Sequence, residues 1–318
     1  MTRVAAIDCG TNSIRLLVAD VPDQGAHTDL LRRMEVVRLG EGVDATGRLS
    51  EAAIERTRRV LAEYAAQARE LGATAVRMVA TSASRDAANR ADFEQMVLTT
   101  LGRLPDVVPG SEEAELSFLG ATASLDAAVA AHGGTAPEVP YLVVDIGGGS
   151  TEFVLGDGTG VRAARSVDIG CVRLTERHLH GDPPDSDEIQ RTEADVRAAL
   201  TEVLAAVPVG EAATLVGLAG SVTTVAALAL GLPEYDDTAI HGSRIPVAAV
   251  RSVTAGLLTA TRARRAAMPV MHPGRVDVIG GGSLILRVIM DAFALDSVVV
   301  SEHDILDGIA LRLARGQA

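Results

Sequence analysis

One six-residue pattern occurs twice in this chain and constrains the fold more than any other feature: Asp8-Cys9-Gly10-Thr11-Asn12-Ser13 and Asp145-Ile146-Gly147-Gly148-Gly149-Ser150. Each copy sits between two short apolar runs, 4–7 and 14–18 around the first, 141–144 and 151–155 around the second, and so reads as strand, tight polar turn, strand. Setting Asp8 on Asp145 also sets Gly10 on Gly147, Ser13 on Ser150 and Arg15 on Glu152. A shared register of this kind predicts an internal duplication of a domain core.

The remaining periodicities agree with two such cores. Residues 50–72 carry a helical pattern, with Ile54, Leu61, Ala65, Ala68 and Leu71 on one face, Ser50 as N-cap and Gly72 as stop. A strand at 75–79 runs into the polar turn Thr81–Arg85. Val107-Val108 leads through Pro109-Gly110 to Ser111 as N-cap, with Glu112 and Glu113 in the first helical turn. After the second copy come a helix over 187–207, a strand reaching Gly220-Ser221, a helix opening at Pro246, a strand at 298–300 and a helix from Asp304. Strands alternating with helices predict an α/β architecture. The small-residue, Gly- and Pro-rich stretch 127–140 is the natural boundary, giving domains 1–126 and 127–318, the last helix packing back on the first domain. With 318 residues and 47% hydrophobic content there is apolar surface for two cores. At 2% aromatics and no Trp, those cores must be filled by Val, Leu, Ile and Ala.

Charge narrows the function. A net charge of −13 repels polyanions at long range and argues against nucleic-acid binding, so an anionic substrate has to be held locally by backbone N–H groups, a few arginines and a divalent cation. No uninterrupted apolar run of about 18 residues and no signal-peptide pattern occurs, so the expectation is a cytoplasmic protein with no membrane partner. Cys9 and Cys171 read as small buried thiols rather than a disulfide.

A turn of the form Asp-x-Gly-x-x-Ser has a specific use. Glycine lets the backbone approach a phosphate and adopt positive φ, so that successive N–H groups converge on its oxygens. The candidate phosphate-binding groups are those of Gly10, Thr11, Asn12 and Ser13 and of Gly147, Gly148, Gly149, Ser150 and Thr151. The aspartates suit a metal or a metal-bound water. One such turn is an ordinary hairpin; two in register are not. No Lys follows the glycines, and the G-x-G-x-x-G spacing is absent, so neither is a Walker or dinucleotide loop. Arg15 in one copy against Glu152 in the other predicts that the first turn favours an anion and the second a metal.

Read together, AAIDCGTNSIRLLVAD, MVATSASRDA, VVPGSEEAEL, VVDIGGGSTEFVLG, DIGCVRLTE, GLAGSVTT and VSEHDILDGIA span nearly the whole chain. This ordered set resembles the exopolyphosphatase and guanosine pentaphosphate phosphohydrolase (Ppx/GppA) family, in its shorter form without a helical extension. The resemblance implies two duplicated actin-like, sugar-kinase-like (ribonuclease H-like) domains flanking an interdomain cleft. It implies a hydrolase acting on terminal phosphoanhydride bonds, with inorganic polyphosphate or guanosine pentaphosphate (pppGpp) as substrate, Mg²⁺ (or Mn²⁺ in its place) as cofactor, and a homodimer as the family expectation. Carried over residue by residue, it makes Glu113 the base for the attacking water, Arg85 a phosphate clamp, and Asp145, Glu152 and Asp8 the metal positions. From the residues alone, Glu112 and Glu113 also read as acids complementing a helix N-terminus, and Arg85 as a solvated surface arginine. Glu115 departs from the family, which often has Arg there.

Other features weigh less. Arg262, Arg264 and Arg265 read as cations stabilising a helix end. His178 and His180 lack the carboxylate pattern of a zinc site. Gly280-Gly281-Gly282 is a third phosphate loop if 276–279 is a strand, and a closely packed helix by the family resemblance. Gly220-Ser221 follows a strand and precedes a helix, within reach of a substrate. A sensor that binds polyphosphate or an alarmone without turnover, and a sugar or acetate kinase, are the competing functions; Glu113, Asp145 and Glu152 speak against the sensor.

Overall fold

The computed structural model describes residues 1–22 and 27–316. They form two compact units, residues 1–123 with 304–316, and residues 124–303. The first holds β1 (Thr2–Cys9), β2 (Ser13–Val21), β3 (Thr28–Val36), α1 (Val43–Thr46), α2 (Glu51–Glu70), β4 (Ala75–Ala80), α3 (Ser82–Asp86), α4 (Arg90–Leu101), β5 (Asp106–Val107) and α5 (Gly110–Thr122). The second holds α6 (Leu125–Ala131), β6 (Tyr141–Ile146), β7 (Thr151–Asp157), β8 (Gly160–Val167), α7 (Cys171–His178), α8 (Ser186–Ala206), β9 (Thr214–Leu218), α9 (Ala219–Ala229), α10 (Asp237–Ile240), β10 (Arg244–Pro246), α11 (Val247–Thr259), α12 (Arg262–Ala266), α13 (Ile279–Ala292) and β11 (Ser297–Val300). α14 (Ile305–Ala314) belongs to the first unit.

The duplication is visible in the sheets. Strand order is β3-β2-β1-β4-β5 in the first unit and β10-β11-β9-β6-β7-β8 in the second. In both, an antiparallel three-strand meander is extended by two parallel strands, β4 and β5 in one and β9 and β11 in the other. β10 is an added antiparallel edge. Parallel extension needs helical crossovers, which cover both sheet faces. β1 accordingly reads as a continuous apolar run: Ala5, Ile7 and Cys9 enter the core that contains Leu61 and Phe93, while Val4 and Ala6 enter the core formed with Ile305, Leu306 and Ile309 of α14.

Ser50 caps α2 as expected, accepting from the Ala53 amide, but Tyr64 and Thr57 are buried on its inner face and Ile54 only partly. Ser111 is not the N-cap of α5; Pro109 is, because Pro109 is extended and Ser111 already lies inside the helix. Residues 280–282 are helical, so the third phosphate loop is ruled out. All three glycines lie buried in α13, and a Cβ on Gly282 would meet the Ser221 hydroxyl at 2.1 Å. α14 crosses α5 closely because of two glycines: a Cβ on Gly120 would sit 1.7 Å from the Asp304 carbonyl oxygen, and one on Gly308 2.0 Å from that of Leu116. Among the described residues no helix is long and apolar enough to cross a membrane.

Candidate active site

In the first unit the turn between β1 and β2 is closed by a hydrogen bond from the Gly10 amide to the Ser13 carbonyl, 3.0 Å. The equivalent bond in the second unit runs from Gly147 to the Ser150 carbonyl, also 3.0 Å. Neither Gly10 nor Gly147 has the positive φ expected of it. Close approach explains Gly147 instead, since an added Cβ would come 3.0 Å from the Ser150 carbonyl oxygen. The carbonyl oxygens of both turns are taken up by the scaffold. Thr11 and Asn12 accept from the amides of Gly40 (2.8 Å) and of Val37 and Arg38 (3.1 and 2.8 Å). Gly147 and Gly148 accept from the amides opening α7, Cys171, Val172 and Arg173. Groups that would repel a phosphate are thus already satisfied in each turn.

The residue aligned with Glu152 behaves differently from its counterpart. Asp8 and Arg15 are directly opposed across β1 and β2, and Arg15 donates to Asp8 Oδ2 through Nε at 3.0 Å and Nη2 at 2.6 Å. Arg15 Nη1 also pairs with Asp304, the N-cap of α14. Arg15 therefore balances two carboxylates rather than standing as an open anion site. Burial pushes the Asp8 carboxyl upward, opposed by Arg15. Nearby, the Thr11 and Ser82 hydroxyls share a 2.9 Å hydrogen bond, which ties the turn to the first residue of α3.

α3 carries Arg85, whose Nη1 donates to Glu113 Oε2 at 3.0 Å and to the Val108 carbonyl at 3.1 Å. Glu113 is buried in the first turn of α5, with 7% exposure. Arg85 is thus no solvated surface arginine. Glu112, one residue earlier, pairs instead with Arg77 at 2.9 Å.

In the second unit Asp145 and Glu152 are directly opposed across β6 and β7, at 8% and 1% exposure. Ser166 Oγ donates to Glu152 Oε1 at 2.7 Å. Two buried carboxylates at one strand-pair position form an oxygen donor set suited to a hard divalent cation. Asp8 fits less well, because Arg15 occupies one of its oxygens. Thr151, expected among the phosphate donors, gives its hydroxyl to the Ile169 carbonyl, and Ser150 is buried. Arg173 Nε donates to the Gly149 carbonyl at 2.8 Å. Sequence reasoning gave no role to Arg173, Ser166 or Asp304, since each acts through a partner more than a dozen positions away; Arg173 at least lies inside the quoted stretch DIGCVRLTE.

The lesser features resolve as follows. Gly220 and Ser221 lie in the first turn of α9 behind its first residue Ala219, a non-glycine residue at φ 65°. The Arg275 guanidinium fills the place of a Gly220 Cβ and donates to Thr224 Oγ1 at 3.0 Å. Arg265 is buried and caps carbonyls of Leu257 and Ala260 at the end of α11, while Arg262 pairs with Asp277. His178 does have a carboxylate, Asp195 at 2.7 Å, shared with Arg177 as an ion-pair cluster. Both cysteines are free and buried, and burial pushes both thiols up, which suits neither to act as a nucleophile.

Comparison with known proteins follows the same lines. The model of the Ppx/GppA phosphatase family matches residues 17–315. The chain is 51% identical to Exopolyphosphatase 2 of Mycobacterium tuberculosis, over 99% of each. It is 42% identical to a crystallised exopolyphosphatase-like protein, with all of both chains covered and a TM-score of 0.93. It is 32% identical to the Aquifex aeolicus PPX-GPPA enzyme, covering 98% of this chain and 99% of that one, with a TM-score of 0.77.

Proposed function

Because the chain belongs to the Ppx/GppA phosphatase family, we propose that it is an exopolyphosphatase, releasing orthophosphate from the ends of inorganic polyphosphate. The observation that carries this reading is the contact between Arg85 and the buried Glu113. Hydrolysis of a terminal phosphoanhydride needs an in-line water, charge neutralisation on the transferred group and little covalent help. Glu113 takes the proton of the attacking water as its oxygen bonds to the terminal phosphorus. The bond to the bridging oxygen breaks, and that oxygen leaves on the shortened chain. The hydrogen bond from Arg85 fixes the orientation of the Glu113 carboxylate and sets a positive charge beside it. Arg85 also offsets charge that builds on the phosphoryl oxygens.

Asp145 and Glu152 are the residues that would hold Mg²⁺. Bound there, the cation would supply charge neutralisation on phosphate oxygens. The amides of Gly10 and Gly147 close the turns, so the N–H groups that follow them, of Thr11 and Asn12 and of Gly148 and Gly149, are the ones that would bind phosphate.

The test compares phosphate release from polyphosphate, guanosine pentaphosphate and ATP, each with Mg²⁺ and with chelator. Release from polyphosphate only with Mg²⁺ is the expected result. Preference for guanosine pentaphosphate would move the activity to the alarmone within the same family, and inactivity on all three would leave a sensor. Glu113→Gln should lower kcat by at least ~10²-fold with substrate binding retained; a near-normal rate would overturn the assignment.

A further inference from the structure

β5 pairs with β4 only at Val79 and Ala80. Among the described residues no strand lies along the outer edge of Ala75–Met78. Beside this edge, between α2, α4 and the residues before β5, lies an open cavity of about 1010 Å³ within the first unit. Its charged lining consists of Arg69, Arg77 and Arg103 against the single carboxylate of Asp106. None of the residues assigned to hydrolysis lines it.

Arg77 is 8% exposed and is held through Nε by Asp106 (2.8 Å) and through Nη2 by Glu112 (2.9 Å). Its Nη1 is buried without a hydrogen-bond partner among the described residues. A buried guanidinium N–H with no acceptor is a costly vacancy and calls for one. Arg69 and Arg103, both exposed, donate only to the carbonyls of Ala65 and Val76 and make no ion pair among the described residues. In a chain with 42 acidic residues against 29 basic ones, two exposed guanidiniums without carboxylates on one cavity are a local reserve of positive charge. Leu101, Leu104 and Leu313 give the lining an apolar part, and Leu104 is 57% exposed.

We propose that this cavity is a second ligand site, for a phosphate-bearing molecule with a flat or apolar body of nucleoside diphosphate size. The arginines take the phosphates, with planar N–H pairs matched to phosphate oxygens. The leucines take the body. The volume is at the upper end of the range for small-molecule sites. Strand addition by a peptide is disfavoured by the same geometry, because Arg103 already covers the Val76 carbonyl and blunts the edge.

The proposal is tested by isothermal titration of the full chain with ADP and with inorganic pyrophosphate, alongside the double variant Arg69→Ser/Arg103→Ser. Both side chains are exposed, so the fold is preserved. The expected result is an ADP-binding step weakened at least tenfold in the double variant, with pyrophosphate binding the wild type at least tenfold more weakly than ADP. Unchanged ADP affinity and stoichiometry in the double variant would overturn the site. Pyrophosphate binding as tightly as ADP would overturn the role of the leucines. Slowed amide exchange at 75–78 with an acidic peptide but not with ADP would overturn it in favour of strand pairing. Arg85→Ala, which removes the phosphate clamp of the hydrolytic site, should leave the ADP step unchanged, and loss of the ADP step in that variant would place it at the hydrolytic residues and overturn the second site.

Discussion

Asp145 and Glu152 face each other across the β6–β7 hairpin, where the first unit has the ion pair of Asp8 with Arg15. One copy of the duplicated core sets an arginine against its aspartate; the other sets two buried carboxylates at the same place, with a serine hydroxyl on one of them. Two buried carboxylates brought together repel each other, and a divalent cation bound between them would relieve that repulsion.

Divalent cations should therefore raise the melting temperature. At a hundredfold excess over Kd the stabilisation is about 2.7 kcal/mol, which for a chain of 318 residues is roughly 4 °C. Scanning calorimetry with Mg²⁺ and with chelator measures it. Glu152→Gln should abolish most of the difference, and a Mg²⁺ response surviving in that variant would place the cation elsewhere.

Arg85→Lys should not rescue Arg85→Ala. The guanidinium Nη1 alone reaches both the Glu113 carboxylate and the Val108 carbonyl, and a lysine ammonium lacks the rigid planar group that directs it there. Both variants are expected to lose ~10²-fold or more in kcat, in line with removing a preorganised charge at the reacting centre. Steady-state phosphate release decides the point; near-wild-type turnover of the lysine variant would exclude the clamp role.

Stability should fall as pH rises through the neutral and mildly alkaline range. His27 is pushed up to about 9 by hydrogen bonds to Asp29 and Asp307. A folded-state pKa above the unfolded value of about 6.5 gives stability that is complete below 6.5 and lost as the pH approaches 9. Urea midpoints at pH 6, 7.5 and 8.5 should decline in the wild type and stay flatter in His27→Asn. Equal slopes in the two proteins would remove His27 as the cause.

Gly170→Ala should disturb the second turn directly. A Cβ there would lie 2.3 Å from the Gly148 carbonyl oxygen and 2.5 Å from the Gly149 amide nitrogen. Backbone must move, at a cost of about 1–3 kcal/mol. Because the displaced atoms belong to the glycine turn, KM for polyphosphate should rise together with the loss of stability. Unchanged denaturation midpoints and KM would show that the turn is not held rigidly by β8 and α7.

The duplication and the α/β class were legible because they rest on local patterns: the two hairpins, the alternation of strands and helices, and the Ser50 cap. β3 was not legible, since Thr28–Val36 mixes arginines and acids with only intermediate or exposed positions. Arg15 was misread for a related reason. Its sign predicted an anion site, but its second partner, Asp304, is 289 positions away, and no local pattern announces such a pairing. The glycines of the turns were found by sequence for a reason the backbone does not bear out, since close packing and not positive φ explains Gly147. The Arg85–Glu113 pair was legible as two residues, but not as a contact, because it joins different helices.

α14 closes the first unit with material translated after the whole of the second. Ile305, Leu306 and Ile309 complete one core of the first sheet, Asp304 binds Arg15, and Asp307 binds Arg32. On the ribosome the first 123 residues thus emerge with one sheet face bare. The contiguous segment 124–303 can finish folding before the segment that precedes it, which reverses the usual N-to-C order of domain maturation. The unit that carries Arg85 and Glu113 is then complete only after α14 has been synthesised and docked, so nascent chains stalled before that point would carry both residues without the finished unit that orients them.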